Sequence, residues 1–296
     1  DFSSNDYLGL ARDKAIADAV AQELARGVPI GSGGSRLLRG NAPEHEALEA
    51  KAAGYFGCEA ALYFANGFAA NLGVLSVLPR QGDLIVADEL IHASMHDGIR
   101  QSRAEVQLVP HNDAQAVDDA ILAWRARGGT GTPWIVAETV YSMDGDLAPV
   151  DDLAAISWRR NAMLLLDEAH ATGMFGRDGR GVAAHLEGEE NVITVHTCGK
   201  ALGVEGALVC APRVLIDMLV NKARPFIFST APSPLMAVAV GAALDRVAGA
   251  GGDALRSALR ERIDAAARLI CEPLGLASPT SQILPVVLGD DRWTMA

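Results

Sequence analysis

The chain has 296 residues, half of them apolar, and carries 25 Lys and Arg against 37 Asp and Glu, a formal net charge of −12. That length and composition support a large core in one or two domains and exclude a disordered chain. The acidic surplus repels phosphate backbones and anionic lipid surfaces, which sets nucleic-acid and membrane partners aside.

Charges interrupt every apolar stretch before it is long enough to cross a bilayer, and no basic-then-apolar leader is found, so a soluble, cytoplasmic chain is expected. Cys58, Cys198, Cys210 and Cys271 are scattered, with no spacing that marks a disulfide framework or a zinc site. Buried apolar roles in a reducing compartment are expected for all four.

Residues 1–26 form an N-terminal segment, and a glycine-rich loop, 31–36, follows it. Helical spacing then covers 44–55, a short apolar run covers 62–65, and a glycine leads into a helix over 68–77. Strands are predicted at 83–87 and 106–109, a helix capped by Asp113 at 114–126, a strand at 134–138, a helix at 150–159 and strands at 163–167, 192–196 and 207–210. Next come a helix at 213–222, a strand at 226–228 and a helix capped by Ser233 at 234–247. The glycines of 249–252 read as a break before an amphipathic helix at 253–270. Continuous apolar strands alternating with helices predict an α/β fold on a mostly parallel sheet. The expected division is a large domain over 27–248 and the start of a smaller C-terminal α/β domain over 249–296.

In such folds ligands sit where the strands end, so polar residues just after the apolar runs are the candidates. The run over 162–166 delivers Asp167 and, three residues later, His170. A buried carboxylate needs a partner, and one suitable partner is the protonated ring nitrogen of pyridoxal phosphate, which Asp167 would keep cationic. Lys200 follows the strand at 192–196 among small residues, where burial favours the neutral amine that imine chemistry requires. Gly67 opens a helix whose free amides form an anion site suited to a phosphate, helped by the Thr197 hydroxyl. The His92 imidazole could lie against an aromatic cofactor ring. His92 and His96 lack the glutamate that a zincin pattern places after the first histidine, so no metal is expected. Ser142, Asp144 and Asp146 end another strand and would face the same crevice. Arg36, on the glycine-rich loop, suits a carboxylate or phosphate.

The motifs Ser4-Asn-Asp-Tyr-Leu-Gly9, Gly31-Ser-Gly-Gly-Ser-Arg36, Asn66-Gly-Phe-Ala-Ala-Asn71, His92-Ala-Ser94, Asp167-Glu-Ala-His170 and Thr197-Cys-Gly-Lys200 appear in one order along the chain. Together with His45–Glu49, His111–Asp113 and Tyr141–Asp146 they resemble the α-oxoamine synthases, pyridoxal-phosphate enzymes of the aspartate-aminotransferase-like fold type I. The resemblance implies that Lys200 holds the cofactor as a Schiff base, Asp167 pairs with the ring nitrogen, His170 bonds the ring oxygen and His92 stacks on the ring. It further implies that Ser142 lines the site, that Gly67, Phe68 and Thr197 hold the phosphate, and that Asn5 reaches the amino-acid carboxylate. Such enzymes are homodimers with shared active sites, and Ser229 and Thr230 are the hydroxyls given to the neighbour's phosphate site. The likeness is strongest to the biotin-pathway branch, which joins L-alanine to pimeloyl-CoA or a pimeloyl-acyl carrier protein. The glycine acetyltransferase, 5-aminolevulinate synthase and serine palmitoyltransferase branches share almost all of these residues. Cys198 stands where an aromatic residue is common, and the small domain's substrate-binding arginines are not located by these motifs.

Two other classes are considered. Asp167–His170 also spells the DEAH box of helicases, but the accompanying Walker loop is missing: Gly199-Lys200-Ala201 lacks the upstream glycine and the following hydroxyl. A catalytically silent subunit would keep the fold without needing Lys200, Asp167, His170 and His92 together.

Overall fold

The computed structural model describes residues 4–287 and 289. β1 (Ala60–Phe64), β2 (Leu84–Asp88), β3 (Glu105–Val109), β4 (Pro133–Glu138), β5 (Met163–Asp167), β6 (Val192–Thr197) and β7 (Ala207–Ala211) form one sheet in the order β1-β7-β6-β5-β4-β2-β3. Every neighbouring pair is parallel except those of β7, which runs antiparallel to both β1 and β6. β1 therefore runs in the same direction as β6, and the C-terminal ends of β1, β2, β4, β5 and β6 share one edge of the sheet.

Alternation along the strands feeds two faces. On β5, Leu165 packs with α3 (Gly67–Val77), α4 (Ala93–Gln101) and α7 (Arg213–Lys222), whereas Leu164 and Leu166 pack with α5 (Ala114–Ala126) and α6 (Val150–Arg160). The β1 and β7 end of that second face is covered by α1 (Lys14–Ala25), α2 (Pro43–Phe56) and α9 (Pro234–Val247). The expected α/β fold with a mostly parallel sheet is thus present, and Asp113 and Ser233 cap α5 and α9 as anticipated.

The sequence reading misplaced two segments. Residues 226–228 are not a strand: Arg224–Ile227 forms a short helix, α8, in which Phe226 packs edge-on to Phe64 at 5.5 Å. Three residues are too few to distinguish a strand from one helical turn, and Pro225 favours the helix start. The glycines of 249–252 are the first turn of α10 (Gly249–Ala266), not a loop, and the helical chain bends by 77° from α9 at that point. Gly249 takes a φ of 63° at the corner, and a Cβ on Gly252 would collide with the Val247 carbonyl. Both glycines serve a tight elbow. Among the described residues no single helix is long and apolar enough to cross a membrane.

Candidate active site

The shared strand edge gathers the predicted residues. Asp167 and Glu138 end β5 and β4 as register partners, Thr197 ends β6 three residues before Lys200, and His92 follows β2 as the N-cap of α4. Burial pushes the Lys200 amine below its usual range, while the Asp167 and Glu138 carboxylates pull it back up. Burial also drives His170 down to about 3, and any positive charge on neighbouring Lys200 or His92 acts in the same direction. Lys200 thus feels Asp167, and His170 feels both Lys200 and His92.

Hydrogen bonds the motifs did not suggest hold this group in place. Asp167 is buried; its Oδ1 accepts from the Ala169 amide at 2.8 Å and its Oδ2 from Asn71 Nδ2 at 2.7 Å. The second Asn71 hydrogen reaches Ser94 Oγ at 3.0 Å. The Ser94 hydroxyl and amide in turn lie 2.7 and 3.2 Å from His92 Nδ1. The Ser94 amide bond requires Nδ1 to accept, which leaves the ring proton to Nε2 and makes the Ser94 hydroxyl the donor. Asn71 and Ser94 thereby connect Asp167 to His92. The signal for Asn71 was a lone amide inside an otherwise apolar helical run, since a buried amide needs partners.

Glu138 is 2% exposed, and burial raises its carboxyl to about 8, with the negative charge of Asp167 adding to the effect. Its Oε1 has no partner among the described residues. Ser142 stands near it, and its backbone works against that rise. The Tyr7 hydroxyl shares a 2.7 Å hydrogen bond with His170 Nδ1 and reaches Asn5 Oδ1 at 3.3 Å, so Asn5 approaches the site through Tyr7. Gln282 donates to the His170 carbonyl at 2.7 Å, and Thr280 to the Gly145 carbonyl at 3.1 Å. The segment 280–283, which carries no motif, therefore borders the site.

At the start of α3, Asn66 caps the helix by accepting from Ala69 N at 2.8 Å, and the geometry of a helix start leaves the Gly67 and Phe68 amides free. A Cβ on Gly67 would lie 2.5 Å from Thr197 Oγ1, so glycine is what lets the helix start touch that hydroxyl. Phe68 is exposed. Asp167 opposite a partly buried lysine, with a helix N-terminus and hydroxyl nearby, fits an aromatic aldehyde that carries a ring nitrogen and a phosphate.

Not every candidate lies here. Arg36 is committed elsewhere: its guanidinium bonds Glu49 at 2.9 and 3.0 Å and Asn41 at 2.7 Å, and lies over the Phe226 ring at 5.3 Å. At 8% exposure it is part of the packing, not a free anion receptor. Asp146 turns from the crevice to accept from His111 Nε2 at 2.8 Å and Asn112 Nδ2 at 2.6 Å. Ser229 and Thr230 are exposed on the loop after α8. Glu168 of the DEAH spelling is buried, its carboxylate bonded to the Val182 and Ala183 amides at 3.0 and 2.6 Å, unlike a nucleotide-site glutamate.

The family model for class I and II aminotransferases matches residues 1–292. The chain belongs to that family. Within this aminotransferase family, an 8-amino-7-oxononanoate synthase from Burkholderia thailandensis is 42% identical over 100% of this chain and 75% of its own length. Serine palmitoyltransferase from S. paucimobilis, with a bound PLP–myriocin aldimine, superposes with a TM-score of 0.85 at 28% identity, over 98% of this chain and 75% of that one. An 8-amino-7-oxononanoate synthase from Francisella tularensis gives 0.77 at 29% identity, over 96% and 78%. Both structures are α-oxoamine synthases, so the fold type I aminotransferase architecture and the α-oxoamine branch stand together.

Proposed function

We propose that the chain condenses L-alanine with a pimeloyl thioester, carried by coenzyme A or an acyl carrier protein, to give 8-amino-7-oxononanoate, carbon dioxide and free thiol in biotin synthesis. The observation that carries this reading is 42% identity to an 8-amino-7-oxononanoate synthase across the whole chain, joined to a site built for pyridoxal phosphate. When bound, that cofactor supplies a cationic ring that accepts the electron pair left at the amino-acid Cα.

The side chains divide the work. Asp167, fixed by Asn71 and the Ala169 amide, holds the proton on the ring nitrogen. Lys200, its charge disfavoured by burial, would hold the aldehyde as a neutral amine and, when freed, would serve as the base for the Cα proton. His170, kept neutral, would hold the ring oxygen, and His92, with Nδ1 accepting from Ser94, would lie against the ring. The α3 amides at Gly67 and Phe68 and the Thr197 hydroxyl bind the phosphate. Ser142 lines the cofactor site beside Glu138, and Asn5 takes the amino-acid carboxylate.

The working unit in this reading is a cytoplasmic homodimer, with residues 27–248 as the cofactor-binding domain and the chain from 249 opening a smaller one. The 31–36 loop is tied to the 231–232 segment by Ala231 N to the Gly34 carbonyl at 2.9 Å and the Ser32 hydroxyl to the Pro232 carbonyl at 2.5 Å. Ile30 at 73%, Leu38 at 86% and Phe228 at 71% exposure flank that junction, and apolar exposure of this kind supports a partner surface. Ser229 and Thr230 lie there, available to the second copy.

A serine palmitoyltransferase reading is favoured by the 0.85 superposition. Mass spectrometry of products from alanine, glycine and serine, each with pimeloyl and palmitoyl thioesters, separates the two. Turnover of alanine with the pimeloyl thioester supports the proposal; exclusive use of serine with the palmitoyl thioester overturns it.

A further inference from the structure

Cys58 lies just before β1, Cys210 near the end of β7 and Glu187 in the loop before β6, and one ligand atom from each comes within 4.8 Å of the others. This cluster sits toward the sheet edge where β1 and β6 begin, away from the edge that carries Lys200. Glu187 is fixed, its side chain only 3% exposed: Oε1 accepts from the Thr194 hydroxyl at 2.6 Å and from His196 Nε2 at 2.9 Å. His196 is itself locked, stacked on Phe56 with ring centroids 3.6 Å apart and with Nδ1 at 2.9 Å from the Thr172 hydroxyl. The second Glu187 oxygen receives no hydrogen bond from the described residues, and the Cys58 thiol reaches the Ala60 carbonyl at 3.2 Å and neighbours the Cys210 sulfur.

Beside the cluster is a recess of about 70 Å³ lined by Cys58, Glu59, Glu187, Glu189 and Glu190. Among the described residues no lysine or arginine lines it; the Arg213 backbone amide and guanidinium meet Glu59 from outside, at its Oε2 and carbonyl, at 2.9 and 3.4 Å. Two sulfurs and a positioned carboxylate under a negative field form a soft, cation-selecting donor set.

We propose that Cys58, Cys210 and Glu187 bind a thiophilic divalent cation of the zinc type, with its fourth position open to the recess. Metal–sulfur bonds of about 2.3 Å and metal–oxygen bonds of about 2.1 Å place tetrahedral ligands roughly 3.5–3.8 Å apart. Side-chain rotation closes the difference from the observed spacing. His196 acts through Glu187, orienting the carboxylate as outer partners do in metal sites.

The test is titration of the reduced, cofactor-loaded protein with cobalt(II), read by absorbance in the red, where the pyridine cofactor does not absorb. The expected result is one equivalent bound with the strong bands of tetrahedral thiolate coordination, displaced by zinc. Cys58→Ser and Cys210→Ser should each remove the bands at equimolar cobalt, Cys271→Ser should leave them intact, and His196→Gln should weaken affinity roughly 10-fold or more. The proposal is overturned by the absence of saturable red absorbance, by bands that survive both cysteine substitutions, or by a Cys58–Cys210 disulfide in the protein as purified.

Discussion

At the scale of single residues, Arg36 and Asp167 show what a sequence reveals and what it hides. Asp167 was legible because a carboxylate closing a buried apolar strand has few explanations. Arg36 sits on an exposed-looking glycine-rich loop, and nothing local announces that Glu49, thirteen residues on, takes both arms of its guanidinium. Removing one partner of a buried, bidentate pair strands the other, so Arg36→Ala should cost roughly 3–5 kcal/mol of unfolding free energy in urea titrations. KM for the amino acid should hold in the folded fraction; unchanged stability with a raised KM would restore Arg36 to the substrate site. His170 gives a pH dependence. The folded protein keeps it neutral down to about 3, while the unfolded chain takes up a proton below the ordinary histidine value of 6.5. Stability is therefore lost as pH falls from 6.5 toward 3, by up to about 1.4 kcal/mol per unit from this group. His170→Asn should flatten that slope by about 1 kcal/mol per unit in denaturant titrations at stepped pH, and an unchanged slope would contradict the burial argument.

Among elements, the inner strands were readable because four to six consecutive buried positions leave uninterrupted apolar runs. α4 escaped because its packing depends on small and polar residues: Ser94, Met95, Gly98 and Ile99 face inward, and a Cβ on Gly98 would lie 2.8 Å from the Leu75 Cβ. Met95 and Ile99 alone make too short an apolar stripe to mark a helix, yet it delivers His92 and Ser94. The contact between the α3 start and the β6 end is the element-scale feature most open to test. Gly67→Ala should push Thr197 Oγ1 aside and weaken pyridoxal-phosphate retention roughly tenfold, measured by absorbance titration. Thr197→Ala in the same chain should be less than additive with it. Strictly additive losses would show that helix and hydroxyl act apart.

For the whole molecule, chain order predicted the alternation of strands and helices but not the antiparallel β7, because direction is set by connections and not by strand composition. Nor did any motif mark the segment 280–283, whose Gln282 reaches the carbonyl of His170 from the far end of the chain. The shared-site dimer has a direct assay. A Lys200→Ala chain mixed and refolded with a Ser229→Ala/Thr230→Ala chain should regain activity, since each mixed dimer holds one site with both intact contributions. A mixture that only averages its two parents would contradict a shared site. The central claim is that Lys200, alone among four lysines, holds the cofactor aldehyde. Borohydride reduction of the protein with pyridoxal phosphate, followed by peptide mass spectrometry, tests it most directly. The account predicts a stoichiometric phosphopyridoxyl group on Lys200, with Lys14, Lys51 and Lys222 unmodified; a label on any of those three in place of Lys200 would contradict it.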